Sequence, residues 1–509
     1  MTSSSALRDA PRRGPASDRQ GDALHRETLT PTRWALALAV ALLIALLERN
    51  TIYNNAYAYG ATVHDSTFFE GMIWHAGWAL RLPQVMGGGS YFQTHVSPLM
   101  LVPNALSYLY PGDRLSFYAL VYGAGYGLMS LVVFWLLAKG GRGFASAILA
   151  ALGGLAFFCS QSVFMGAWEP HMEVVAPAFA MLSIRAWQQR SYGVALSWHV
   201  TVSMLREDFA LLFCAPIVLL AGAQYLRERV PAPDLARERL LWAAKFLGLS
   251  LAYTGLAILL QKIFYPGVSV LDNVYFSADA PFGHLSAALL QERATEIAQH
   301  RIGMWLPLAL LVAGTLWLRD LRLLAGALCF IPFLAIGFIS KEGTSGSLTS
   351  YKAFPLGLAL LWPALMAPRA GPDRFRYLLL QALAMGASLI FFIEPGTVRV
   401  ANERWVPRPL SRNADVYRAF LPQLKALQRQ GSVRASHGVR ALYPYDFAPW
   451  YLSDIENLKP EQLPGVQTLL WFQGDRNQME IDALLKRGRY RVTAVPNTRI
   501  RIAQRLPAP

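Results

Sequence analysis

Apolar runs separated by short basic connectors set the rhythm of the chain from Trp34 to Ile393. Read as spans, they fall at residues 34–47, 115–138, 144–160, 172–184, 192–205, 209–226, 241–264, 304–318, 323–339, 351–367 and 377–393, about eleven in all. Alternate connectors carry Lys139 and Arg142, Arg185 and Arg190, Arg227 to Arg239, Arg319 and Arg322, then Arg369, Arg374 and Arg376. A basic connector marks the cytoplasmic side, so this alternation predicts a cytoplasmic N-terminus and an extracytoplasmic C-terminus. The first run ends in Leu47-Glu48-Arg49-Asn50 with no small-x-small cleavage site, which predicts an uncleaved signal anchor.

Outside the runs the pattern changes. Residues 1–30 are rich in Ser, Pro and Arg without an apolar period, and read as a disordered cytoplasmic tail. Residues 31–397 form the membrane part, with a first outer loop at 48–114. From 398 to 509 a mixed pattern predicts helices at 414–430 and 479–486 and strands at 466–472 and 490–502. This describes a small extracytoplasmic α/β domain; His437, Asp446 and Asp475 within it show no motif spacing.

Composition agrees with the pattern. Of 509 residues, 54% are hydrophobic and 16% charged, too apolar a balance for one soluble core. The formal net charge of +15 would suggest nucleic acid in a soluble domain. Here the cations lie in the connectors and set orientation, so no nucleic-acid partner is implied. Cys159, Cys214 and Cys329 each sit within an apolar run, which indicates packing rather than a disulfide framework or a metal site.

Acids are scarce; three places put them beside apolar runs, and a fourth puts a lysine there. In the first outer loop, Phe69, Met72, Ile73, Ala76 and Leu80 recur at helical spacing, predicting an amphipathic helix over 66–82 at the membrane interface or buried beneath it. Thr67-Phe68-Phe69-Glu70 matches a capping box that would start it, so Glu70 reads as a helix-starting or secondary acid. Asp65 then precedes the cap in irregular chain, free to face a cleft, with His64 and His95 nearby. Trp168-Glu169-Pro170-His171-Met172-Glu173 reads either as a helix start or as a source of acid/base groups, Glu169 and His171, which could also serve a hard divalent cation. Arg206-Glu207-Asp208 interrupts two apolar runs, either as a self-neutralising cluster or as a guanidinium for a lipid-borne phosphate. Lys352 opens a late span, as a snorkelling boundary lysine or a second phosphate contact. Scattered His and carboxylates carry no spacing signature, so a metal is left open.

The order of an acidic first outer loop, Thr94-His95-Val96-Ser97-Pro98, Glu169-Pro170-His171-Met172-Glu173 and Arg206-Glu207-Asp208-Phe209 resembles the bacterial membrane family called domain of unknown function 2079, over about residues 53–368. That family is similar to the GT-C glycosyltransferases, polytopic enzymes that use polyprenyl-phosphate-linked sugars at the outer membrane face. The resemblance implies a GT-C-like α-helical bundle with interfacial helices in the first outer loop, in a bacterial inner membrane. It implies Asp65 as catalytic base and Arg206 and Lys352 as contacts to the lipid phosphate; Glu169 and His171 are the further catalytic candidates, and His64, His95, Glu207 and Asp208 are the candidate cleft residues. The implied activity is inverting transfer to a hydroxyl of a cell-envelope glycan, lipid or protein, with the polyprenyl-phosphate sugar as donor and no certain cofactor beyond a candidate divalent metal. The first loop has His64-Asp65-Ser66 where several members pair Asp with Glu. A transporter or flippase, or a non-catalytic assembly subunit, are the alternatives; neither an internal repeat nor a charge amid a span points to transport.

Overall fold

Thr30 caps and Pro31 opens the first helix, α1 (Pro31–Tyr53), the Thr30 side chain accepting from the Arg33 amide at 3.4 Å. In the computed structural model residues 30–507 are described, except 59–63, 84, 86–87, 139–143, 168–170, 267–281, 342–347, 349, 369–371, 395, 410–413, 449, 456–457, 459 and 475–477. For His64, Asp65 and Lys352, among others, the description is of the backbone. The N-terminal tail, Glu169 and Asp475 lie outside the described residues.

Further helices follow: α2 (His64–Ile73), α3 (Leu101–Ser107), α4 (Arg114–Ala138), α5 (Phe144–Phe158), α6 (Gln161–Gly166), α7 (Ala176–Gln188), α8 (Tyr192–Ser203), α9 (Phe209–Leu212), α10 (Cys214–Glu228) and α11 (Pro233–Phe264). The seam between α1 and α4 depends on glycine. A Cβ on Gly123 would lie 2.4 Å from the Ala45 carbonyl oxygen, and one on Gly127 2.9 Å from that of Ala41. The four-residue spacing of these glycines lets the two backbones meet without a hydrophobic driving force between helices.

Among the described residues six helical stretches are long and apolar enough to cross a membrane, including 31–58, 209–228, 233–264 and 373–393. A seventh would be the pair Ala287–His300 and Ile302–Leu318, bent by 83°. Leu38, Leu42, Leu241 and Ile263 are exposed on these helices, an apolar outer surface suited to lipid. The protein is a multi-pass membrane protein. Where about eleven rods are expected, several are shorter or interrupted. Residues 351–367 form the turn Ser350–Leu356 and the short helices Gly357–Leu360 and Trp362–Met366, with Pro355 and Pro363 removing amide donors.

The C-terminal part contains a four-stranded sheet of order β1-β2-β4-β3, with β1 (Val433–Ala435), β2 (Thr468–Phe472), β3 (Tyr490–Ala494) and β4 (Ile500–Arg505). β1 pairs parallel to β2, and the other pairs are antiparallel. All five β2 residues are buried, whereas β3 is an exposed edge. Among the described residues, contacts at several points hold this part to the bundle. Glu48, wholly buried in α1, faces Arg404 at 3.4 Å and accepts from the Trp405 indole at 2.9 Å. The Asn54 amide nitrogen reaches the carbonyls of Glu403, Arg404 and Val406 at 3.0, 2.8 and 2.8 Å. Farther on, Tyr417 donates to the Tyr57 carbonyl at 2.5 Å and Tyr443 to that of Tyr417 at 2.5 Å, while Arg499 reaches the Ala58 carbonyl.

The first loop departs from expectation in three ways. Helix α2 begins at His64, so Asp65 lies in its first turn rather than in irregular chain before it. Thr67 is therefore not the cap, and Glu70 starts nothing: its carboxylate pairs with Arg114 at the head of α4. The helix also ends at Ile73 instead of running to residue 82. His75, Gly77 and Leu80 have φ of 50°, 70° and 44°, left-handed conformations that turn the chain while keeping Ala76 and Leu80 buried. The short helix satisfies the same apolar spacing through a turn. With Phe69, Met72 and Ile73 at most 2% exposed, it is a buried helix.

Candidate functional site

Helix α8 stops at Ser203 and α9 starts at Phe209, because the charged run between them cannot continue an apolar helix. In the turn, Arg206 and Asp208 pair with each other while Glu207 turns away. Glu207 reaches the first loop: one carboxylate oxygen lies 2.8 Å from His95 Nδ1, and the other accepts from the Val96 amide at 2.8 Å. Its carbonyl accepts from the Thr254 hydroxyl of α11 at 2.8 Å. The Leu99 amide donates to the Met204 carbonyl at 3.0 Å, so the His95-to-Pro98 motif and the Arg206-to-Asp208 motif are stitched together.

Arg206 is gripped from two sides. Its Nε and a terminal nitrogen each donate to Asp208 at 2.7 Å, the bidentate fork, and its other terminal nitrogen lies 3.5 Å from Glu173. Its plane lies over the Phe209 ring, 5.0 Å from the centroid. The environment is graded: Glu173 is 1% exposed and Asp208 48%, so the guanidinium bridges a buried carboxylate and an accessible one.

Around Glu173 the first loop closes the inner side. The Tyr91 hydroxyl donates to it at 3.2 Å, and His171 Nδ1 lies 3.2 Å away. Phe69 of α2 packs on the His171 ring at 4.4 Å between centroids, and Phe68 on Tyr91 at 5.0 Å. Burial opposes the Glu173 charge, but Arg206 and then His171 hold its carboxyl well below the usual carboxylate range. Burial and the Glu173 charge push the Tyr91 phenol up.

The cluster therefore gathers His95, His171, Arg206, Glu207 and Asp208 from the candidate residues. It adds Glu173 and Tyr91, which motif reasoning left out of the site. A signal existed for Glu173, since it is an acid at the very start of an apolar run, where an unpaired charge is costly; Tyr91 had none. Asp65 stands one helical turn before Phe69 in α2, the residue that meets His171. Lys352 belongs to the turn Ser350–Leu356, and Phe354 of that turn packs on Phe209 at 5.7 Å, beneath Arg206.

Glu70 belongs elsewhere. It lines a cavity of about 420 Å³ on another side of α2, where burial raises its carboxyl to about 6 against the pull of Arg114. Among the described residues no group of three or more His, Cys, Asp or Glu side chains could hold a metal ion.

No family model matches the chain, so the resemblance to domain of unknown function 2079 rests on its short motifs alone. No curated protein matches either. Among solved structures, the chain is similar to ArnT from Cupriavidus metallidurans bound to undecaprenyl phosphate. The identity is 12%, covering 93% of this chain and 98% of that one, with a TM-score of 0.49. It is also similar to the Archaeoglobus fulgidus oligosaccharyltransferase in the apo form, at 12% identity over 86% of this chain and 69% of that one, with a TM-score of 0.40.

Proposed function

We propose that the protein is a membrane glycosyltransferase of the GT-C type, moving a sugar from a polyprenyl-phosphate-linked donor to an acceptor hydroxyl at the extracytoplasmic face. The observation that carries this reading is Arg206, whose fork is held on its inner side by buried Glu173 and on its accessible side by half-exposed Asp208. A phosphate can take the place of Asp208 on the fork, because it presents the same pair of oxygens. Glu173 stays behind it as the positioning residue that keeps the guanidinium aimed.

The chemistry follows from that seat. Asp65 accepts the proton of an acceptor hydroxyl as its oxygen bonds to the anomeric carbon, and the bond from that carbon to the phosphate oxygen breaks. The electron pair leaves with the lipid phosphate, whose growing charge Arg206 and Lys352 stabilise. A single displacement inverts the anomeric centre. Lys352 suits this role because the turn that carries it packs against Phe209 below Arg206.

The test is binding of undecaprenyl phosphate to the purified protein, read as a rise in thermal stability. Arg206→Lys keeps the charge but loses the fork, and should weaken the lipid's apparent affinity roughly tenfold. A wild-type protein indifferent to the lipid, or an Arg206→Lys variant that binds it equally well, would contradict the reading.

A further inference from the structure

The cavity beside Glu70 lies between the bundle and the C-terminal part, and both contribute to its walls. We propose that it binds a carbohydrate and, resting on the transfer reading above, that this sugar is the acceptor.

Three features select the ligand. The first is size and shape: about 420 Å³, within the range that encloses small organic ligands of about 300–1,000 Å³. Trp74 from the first loop, Tyr57 from the bundle and Tyr443 from the C-terminal part all line it. Flat rings suit the C–H face of a pyranose, and their placement on three segments makes a pocket rather than a lone patch.

The second is charge. Glu70, Asp113 and Asp446 face two arginines, Arg114 and Arg418. Both arginines are engaged by carboxylates, Arg114 by Glu70 and Arg418 by Asp113. The carboxylate on Arg114 is buried, unlike the accessible Asp208 on Arg206, so an anion has no exposed partner to replace there, and an apolar chain would leave the pairs desolvated. Hydroxyl groups can instead donate to the remaining lone pairs of Glu70 and Asp446, whereas the roughly four acceptor sites of Asp113 are already taken by the Leu115 and Ser116 amides, the Ser116 hydroxyl and Arg418.

The third is rigidity. Asp113 already accepts from the Leu115 and Ser116 amides at 3.0 and 3.1 Å as the cap of α4, so its carboxylate is fixed before any ligand arrives. The Tyr443–Tyr417–Tyr57 chain of hydrogen bonds and the contact of Arg114 with the Leu442 carbonyl tie the facing walls. Binding then needs little further ordering.

The cavity also lies where an acceptor is needed. Helix α2 is its wall on the Glu70 side and, through Phe69, packs against the His171–Glu173–Arg206 cluster. Both sites therefore border α2, and Asp65, the candidate base, stands in the first turn of that shared helix. The C-terminal part gains a role from this arrangement, closing the acceptor pocket.

The experiment uses the full-length protein in detergent with diazirine-bearing methyl glycosides of N-acetylglucosamine, mannose and galactose as photoaffinity probes. At least one should label saturably, be competed by its unmodified glycoside, and map to peptides holding Trp74 or Tyr443. Asp446→Asn exchanges an acceptor-only carboxylate for an amide, and Trp74→Leu removes an aromatic face. Each should cut labelling roughly tenfold while stabilisation by undecaprenyl phosphate is retained. Unsaturable labelling by all three probes, mapping elsewhere, or labelling indifferent to both variants would overturn the cavity assignment, even with lipid binding intact. Specific sugar labelling in a protein that ignores undecaprenyl phosphate would instead overturn the acceptor role and the transfer reading beneath it.

Discussion

Glu173→Gln tests whether the buried carboxylate is what holds Arg206 in place. The side chain is 1% exposed, lies 3.5 Å from Arg206, and is 3.2 Å from both the Tyr91 hydroxyl and His171 Nδ1. Breaking a buried ion pair by removing one partner costs about 3–5 kcal/mol. Glutamine keeps the shape and an acceptor for Tyr91, and Arg206 retains its 2.7 Å fork on Asp208, so about 2–3 kcal/mol is expected. Thermal unfolding in detergent can be followed with a thiol-reactive dye, because Cys214 and Cys329 are buried until the fold opens. The pH dependence supplies a second check. The folded-state carboxyl is depressed below its ordinary value of 4.5, so its stabilisation is fully present above that value and is lost as pH falls through the folded one. The gap between wild type and variant should persist from about pH 8 down to about pH 5 and close only in stronger acid. A variant as stable as wild type at neutral pH, or a gap already closed at about pH 6, would refute the reasoning.

Two further outcomes follow from buried charges. The Glu70 carboxyl is raised from 4.5 to about 6 by burial, so the wild type should lose about 2 kcal/mol relative to Glu70→Gln as pH rises through that window, measured by the same unfolding assay. No relative change between those pH values would count against the buried environment. At the Glu48 attachment, Arg404→Met leaves Glu48 buried without its cation and should cost about 3–5 kcal/mol, much of it recovered when Glu48→Gln is added. Two losses that simply add in the double variant would show that the pair is not coupled.

Much of this arrangement was legible in the chain, for identifiable reasons. Long runs such as 115–138 and 241–264 appear as helices because lipid-facing backbone must satisfy its own hydrogen bonds. In the C-terminal part, β2 lies within the expected run 466–472, and β3 with the start of β4 lies within the alternating stretch 490–502, whereas the short β1 was not expected. His95, His171 and Arg206 were each singled out as candidates and lie in one cluster, but their partners were not anticipated. Nothing local tells Glu207 to turn to His95, 112 positions away, or Glu70 to meet Arg114 rather than its own helix start. Asp65 was expected before a cap because Thr67 and Glu70 have capping-box spacing; the helix starts at His64, and tertiary pairing overrides that local signal. Glu48 gave no warning either, since its partner Arg404 lies 356 residues on.

The most direct measurement of the central claim is mass spectrometry of lipid extracts after incubating purified protein with polyprenyl-phosphate-linked sugars and an envelope acceptor fraction from the source cells. Wild type should convert the glycosylated lipid to free polyprenyl phosphate in step with sugar gained by the acceptor. Asp65→Asn, unable to take the acceptor's proton, should bind the lipid yet slow that conversion at least about a hundredfold. Full transfer by Asp65→Asn would contradict the account.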